Sequence, residues 1–282
     1  MKEVIKSILP SAFKQKLSQL KKKYDIRVEA SLTLRPTDVF LVGHPKSGNT
    51  WVAFMLAVLL SERLGKKVTM ANVYEFVPNI HMPGVKVKQF EDIPSPRIFR
   101  NENPTWQDHY PKTIYLVRDP RAVLLSYYHH WLHAERDHHG TLEEFVDEML
   151  EFGCIRRWES WLTRWDLQVD EWEKRQKTQP VLIVRYEDLI EDREGCFRKI
   201  VDFAGLNCSD KMVSLAVEKG GFESMQKSEK KYGAESFNGK TSDKGLFVRK
   251  GQVDSWKEEM PDHVIKKIEK EFGETMSRFG YL

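Results

Sequence analysis

The chain is poor in cysteine: three in 282 residues, Cys154, Cys196 and Cys208, an odd count in no CxxC or CxxH spacing. That argues against a disulfide framework and against a zinc site, and predicts reduced thiols in a cytoplasmic protein. Long apolar runs are also missing. No stretch approaches the roughly 20 apolar residues of a membrane span, and residues 1–24 lack the apolar centre and small-residue cleavage site of a secretory leader. Neither sign of charge dominates: 45 Lys plus Arg against 42 Asp plus Glu give a net charge of +3, too mild for bulk binding to nucleic acid, so an anionic partner must be held locally. There is no internal repeat, no low-complexity tract, and no HExxH or DxD spacing for a metal.

What is present is a globular composition, 40% hydrophobic and 11% aromatic, enough for a sizeable core. Residues 1–30 read as a basic, mildly amphipathic N-terminal helix or extension, ahead of one domain over 31–282. Three short apolar runs, Val39–Val42, Ile114–Val117 and Val181–Val184, with Ile98-Phe99 as a shorter fourth, predict strands of a buried parallel sheet. Helical spacing follows at about 49–64, 120–136, 141–150, 154–175, 193–204, 209–218 and 261–279. Residues 226–251 are polar and punctuated by glycine and favour no regular element, either a surface loop or a lid ending in Arg249-Lys250-Gly251. The fold class expected is a single α/β domain with a central parallel sheet flanked by helices.

The strand ends carry the chemistry. The first runs into Gly43-His44-Pro45-Lys46-Ser47-Gly48-Asn49-Thr50, the second of the long runs into Arg118-Asp119-Pro120-Arg121, and the third into Arg185-Tyr186-Glu187-Asp188. In a parallel sheet these segments leave by one rim, the rim at which α/β proteins bind ligands. A glycine-bearing strand–loop–helix with Lys46, Ser47 and Thr50 predicts a cradle for a phosphate-like anion. It is not a Walker A loop, which puts its lysine after the second glycine; here Lys46 comes two residues before Gly48. Trp51, next in line, suits either the core or the flank of a purine ring.

His44 to Trp51 resembles the PKSGTTW signature of sulfotransferases that use 3′-phosphoadenosine 5′-phosphosulfate (PAPS), with Asn49 replacing one threonine. Arg118 to Tyr128 is similar to the family's RxPxxxxxSxY segment, and Arg249 to Lys257 to its RKGxxxxWK segment. Arg185 to Leu189 matches the YEDL strand end. Phe222 stands where a family aromatic covers the base, although Gly220-Gly221 replace the usual Thr-Ser. The resemblance covers about residues 38–257. It implies a P-loop-like nucleotide site in which Lys46, Ser47, Gly48, Asn49 and Thr50 hold the phosphosulfate end, with Trp51 among the residues that bind the cofactor. Arg118, Ser126, Arg249, Lys250 and Gly251 hold the 3′-phosphate, and Tyr186 and Phe222 lie at the adenine.

The reaction so implied is sulfuryl transfer from PAPS to a hydroxyl or amine of a small-molecule or carbohydrate acceptor, leaving adenosine 3′,5′-bisphosphate (PAP), with Lys46 neutralising the leaving oxygen and no metal. The family's base is a histidine in a Lys-Thr-His segment; here Arg100-Asn101-Glu102 stands in its place, so Glu102 is the candidate base and His109 the next. Pairing of Glu102 with Arg97 or Arg100 is the plainer alternative for that carboxylate. A PAPS- or PAP-binding protein without catalysis, and a P-loop nucleotide kinase, are the rival functions. Acceptor identity and a homodimer are left open by the sequence.

Overall fold

The computed structural model describes residues 33–80, 82, 85–102, 107–133, 140–153, 162–234, 246, 248, 251 and 253–282. The N-terminal extension expected over 1–30 lies outside them. Four parallel strands form one sheet: β1 (Val39–Gly43), β2 (Ile98–Arg100), β3 (Lys112–Val117) and β4 (Val181–Arg185), in the order β2-β1-β3-β4. Register is set by Phe40 opposite Phe99 and Thr113, and by Tyr115 opposite Ile183. All four strands expected from the apolar runs are present.

Because side chains alternate along a strand, each strand feeds two cores. Phe40, Val42, Tyr115 and Val117 face one side, where Trp131, Phe145, Trp165, Trp172 and Phe272 cover them. Val39, Leu41, Ile114 and Leu116 face the other, beneath Phe54, Leu56, Phe197 and Ile200. Burial of each such side chain contributes about 1.5–3 kcal/mol, so two-sided coverage explains why the runs are continuously apolar.

Helix α1 (Asn49–Leu64) leaves β1, and α2 (Pro120–His133) leaves β3. Then come α3 (Leu142–Phe152), α4 (Trp165–Gln176), α5 (Tyr186–Glu191), α6 (Arg193–Ala204), α7 (Asp210–Lys219), α8 (Phe222–Tyr232), α9 (Trp256–Glu259) and α10 (Asp262–Arg278). Local chemistry starts several of them: Thr141 and Glu144 form a capping box on α3, Asp192 accepts from the Gly195 amide, and Ser209 from that of Met212.

One expectation is corrected. Residues 226–232 belong to α8, not to an irregular segment. Met225 and Glu229, four apart, turn the same face inward, which is enough to hold a helix whose other residues are polar. Residues 235–245 of that polar stretch, and 154–161 of the expected 154–175 helix, lie outside the described residues. Among the described residues no helix is long and apolar enough to cross a membrane.

Candidate active site

The loop between β1 and α1 turns on two left-handed residues, Lys46 at φ 71° and Gly48 at φ 103°. This tight path aims the first-turn amides of α1 out of the strand rim, and no side chain caps them. Those amides, at the positive end of the helix dipole, attract an anion. Ser47 is fully buried and its Oγ has no hydrogen-bond partner among the described residues, an orphaned donor beneath the same opening. Gly48 is required twice over, since a Cβ there would come 2.8 Å from Cδ2 of Tyr186.

The loop after β3 closes on the loop after β1. Arg118 Nη1 donates to the Lys46 carbonyl at 3.1 Å, and its guanidinium carbon lies 4.1 Å from the Tyr186 ring centre. Tyr186 packs edge-on to Trp51, with ring centres 5.4 Å apart. Trp51 Nε1 in turn donates to the Gly220 carbonyl at 2.8 Å, which brings the start of α8, and so Phe222, to the same side. Gly251, at φ 63°, packs on Phe222: a Cβ there would approach Cδ2 to 2.8 Å. Ser126 is half-buried in the second turn of α2. Arg249 and Lys250 lie outside the described residues.

Glu102 sits behind the cradle. Arg100 Nη2 donates to its Oε1, and Asn49 Nδ2 donates to the same oxygen at 3.1 Å. Asn49 Nδ2 also reaches the carbonyls of Gly43 at 3.2 Å and His44 at 3.3 Å, so the residue that departs from the family's threonine ties the loop to the carboxylate. Arg100 Nη1 donates to Thr50 Oγ1 at 3.0 Å and to the Tyr74 hydroxyl at 2.6 Å. Burial works against charge on Arg100, but Glu102 and Tyr74 outweigh it and hold the guanidinium above its ordinary pKa. Of the two arginines that the sequence offers Glu102, Arg97 is taken by Asp38, with Nη2 to Oδ2 at 2.5 Å. His109 is exposed at the end of a short 3-10 turn.

His44 faces this network. Its pKa is lowered to about 4, chiefly by burial, against the Pro45 carbonyl and the charge of Glu102, which raise it. Nδ1 lies 3.2 Å from the Pro45 carbonyl and donates to it in the neutral ring, and Nε2 has no partner among the described residues.

The structure thus gathers Lys46 to Trp51 with Arg118, Tyr186 and Glu102, and joins Phe222 to Gly251. Sequence reasoning offered Arg100 as a partner of Glu102 but missed its bond to Thr50. It also missed Arg193, whose guanidinium lies 5.2 Å from the Trp51 ring centre. The position of Arg100 in place of a family lysine was a signal for the first. Nothing local marks Arg193. The arrangement can bind an anion on amides, hydroxyls and a lysine, stack a flat base among aromatics, and offer a carboxylate to a proton. Among the described residues no group of three or more His, Cys, Asp or Glu is arranged to hold a metal ion.

Comparison with known proteins gives a consistent result. A profile of the sulfotransferase domain matches residues 36–280. Sulfotransferase 1A1 of Bos taurus is 30% identical over 234 residues, covering 79% of this chain and 77% of the relative. An amine sulfotransferase of Oryctolagus cuniculus is 26% identical over 256 residues, covering 87% and 83%. Among solved structures, a retinol dehydratase in complex with androsterone and the inactive cofactor PAP superposes with a TM-score of 0.70 at 19% identity, over 91% of this chain and 84% of that one. A mouse sulfotransferase complexed with PAP gives 0.67 at 22% identity, over 89% and 87%.

Proposed function

Because the chain belongs to the sulfotransferase-domain family, we infer that it moves the sulfuryl group of PAPS onto a hydroxyl or amine of a small organic or carbohydrate acceptor. The observation that carries this is the cradle: an uncapped helix N-terminus entered through two left-handed residues, over a buried Ser47 hydroxyl with no partner among the described residues. An anion fits there. Bound, the donor supplies an activated sulfuryl group whose transfer leaves PAP.

Each residue has a distinct task. The Lys46 ammonium neutralises charge growing on the bridging oxygen, helped by the amides of Asn49, Thr50 and Trp51 and by the Ser47 hydroxyl. Arg118, Ser126, Arg249, Lys250 and Gly251 take the 3′-phosphate. Trp51, Tyr186 and Phe222 confine the adenine. Glu102 accepts the acceptor's proton, and Arg100 and Asn49 fix its carboxylate in place. Lines of support for a cytoplasmic setting are the free thiols of Cys196 and Cys208.

A second reading, a PAP-binding protein without catalysis, draws on one fact: Glu102 is already engaged by Arg100 and Asn49. One assay separates the two. The full chain is incubated with PAPS and a panel of phenols, alcohols, amines and sugars, and PAP release is followed. Transfer predicts acceptor-dependent release that falls about 10²–10³-fold in Lys46→Ala. PAP binding with no release from any acceptor supports the second reading.

A further inference from the structure

Arg193, the first residue of α6, is a half-buried cation that makes no hydrogen bond or ion pair among the described residues. Every other arginine among them donates to a carboxylate, a hydroxyl or a carbonyl. The carboxylates on either side of it in sequence are engaged elsewhere: Asp192 accepts from the Gly195 amide and Glu194 from the Ser214 hydroxyl. Nε of Arg193 is buried with no acceptor among the described residues. Taking a donor out of water without an acceptor is costly, so a group in that state calls for an explanation.

Its surroundings supply one. The guanidinium carbon lies 5.2 Å from the Trp51 ring centre, and Nη1 lies 4.0 Å from where a Cβ on Gly221 would stand. An aromatic face attracts a cation but leaves the in-plane N–H groups unsatisfied. Trp51 Nε1 donates to the Gly220 carbonyl, and Phe222 follows Gly221 directly, so Arg193 borders the turn that joins the two aromatics assigned to the base. That turn has no polar side chain of its own. Gly220 cannot carry one, since a Cβ there would collide with Met55 Cγ. Where the family has Thr-Ser, this chain has bare backbone with a guanidinium beside it.

We propose that Arg193 binds the base of the donor nucleotide, its guanidinium donating to a purine ring nitrogen from beside Trp51. A guanidinium donates and never accepts, so it matches ring nitrogen N1, N3 or N7 of adenine and not the exocyclic amine. Trp51, Tyr186 and Phe222 offer only faces and edges to a flat base, which any flat base can use. A donor at the rim of the ring distinguishes a base with an acceptor at that point from one without. The inference rests on the PAPS reading of the site and deepens it.

The test is calorimetric titration of the full chain, Arg193→Met and Arg193→Lys with PAP and with its 1-deaza, 3-deaza and 7-deaza counterparts, each of which replaces a ring nitrogen by C–H. Side chain and ring nitrogen then form a double-mutant cycle. In the wild-type chain one deaza ligand binds about tenfold or more weakly than PAP. Arg193→Met binds PAP more weakly and that deaza ligand within about twofold of PAP. Arg193→Lys keeps the charge but loses the planar fork, and its difference falls between the two. If Arg193→Met fails to fold, the Arg193→Lys difference decides. A residue that only braces Trp51 weakens every ligand alike; that result, or deaza losses that are the same in the wild-type chain and the variants, overturns the inference alone. Adenosine 5′-monophosphate is titrated alongside: a wild-type chain with no preference for PAP over it overturns the donor reading and this inference with it.

Discussion

Arg100 and Glu102 form an ion pair in which each side chain is less than a tenth exposed, and the two are held by different elements: Arg100 ends β2 and also donates to Thr50, while Glu102 also accepts from Asn49. The pair therefore joins the edge of the sheet to the first turn of α1. It makes Glu102 both a brace and the proposed base, and the two roles make separable demands.

Removing one partner of a buried pair leaves a desolvated charge, whereas replacing both with apolar groups of similar size is close to neutral. Glu102→Gln is expected to lose about 3–5 kcal/mol of stability, and turnover with PAPS to fall about 10²–10⁴-fold. The double variant Arg100→Met, Glu102→Leu recovers stability without recovering turnover. Urea unfolding and PAP release, measured on the same preparations, check this; turnover that returns along with stability removes Glu102 from the proton transfer.

His44 gives the protein an acid-sensitive point. Its folded pKa, about 4, lies below the ordinary 6.5 because burial disfavours the imidazolium, so the unfolded chain binds the proton first as pH falls. Its contribution is complete above about pH 6.5 and shrinks as pH falls toward 4, by about 2 kcal/mol between pH 7.5 and 5. Denaturant unfolding at those two pH values is expected to show a smaller drop in His44→Gln than in wild type. Equal drops contradict the assignment of a buried neutral ring.

Gly48 combines a left-handed backbone with contact against Tyr186. Gly48→Ala is expected to cost about 1–3 kcal/mol from the backbone alone and to weaken PAP binding, since the added methyl pushes on the Tyr186 ring that is proposed to flank the base. Thermal unfolding and calorimetry report the two effects. A variant with wild-type affinity shows that Tyr186 does not flank the nucleotide.

Much of this molecule was legible in the sequence where the signal is contiguous. The four apolar runs become the four strands, because a strand covered on both faces needs no polar alternation. Asn49–Leu64 and Arg193–Ala204 fall where periodicity put them. Helix α8 escaped notice because Met225 is its only buried apolar anchor, and α5 because it starts directly where β4 ends. The cradle, eight residues in a row, could be read as chemistry. The bond from Arg100 to Thr50 and the cover of Arg193 over Trp51 join segments 50 and 142 residues apart, which spacing along the chain does not reveal.

Two loops and a distant C-terminal segment are proposed to hold one donor at both of its anionic ends. Titration of the full chain with PAP, ADP and adenosine 5′-monophosphate tests it most directly, because the three share adenosine and differ in where phosphate sits. Charge-assisted hydrogen bonds to a 3′-phosphate, each contributing about 1.5–3 kcal/mol, predict that PAP binds at least about tenfold more tightly than either of the others. ADP binding as tightly as PAP, or no gain from the 3′-phosphate over the monophosphate, contradicts it.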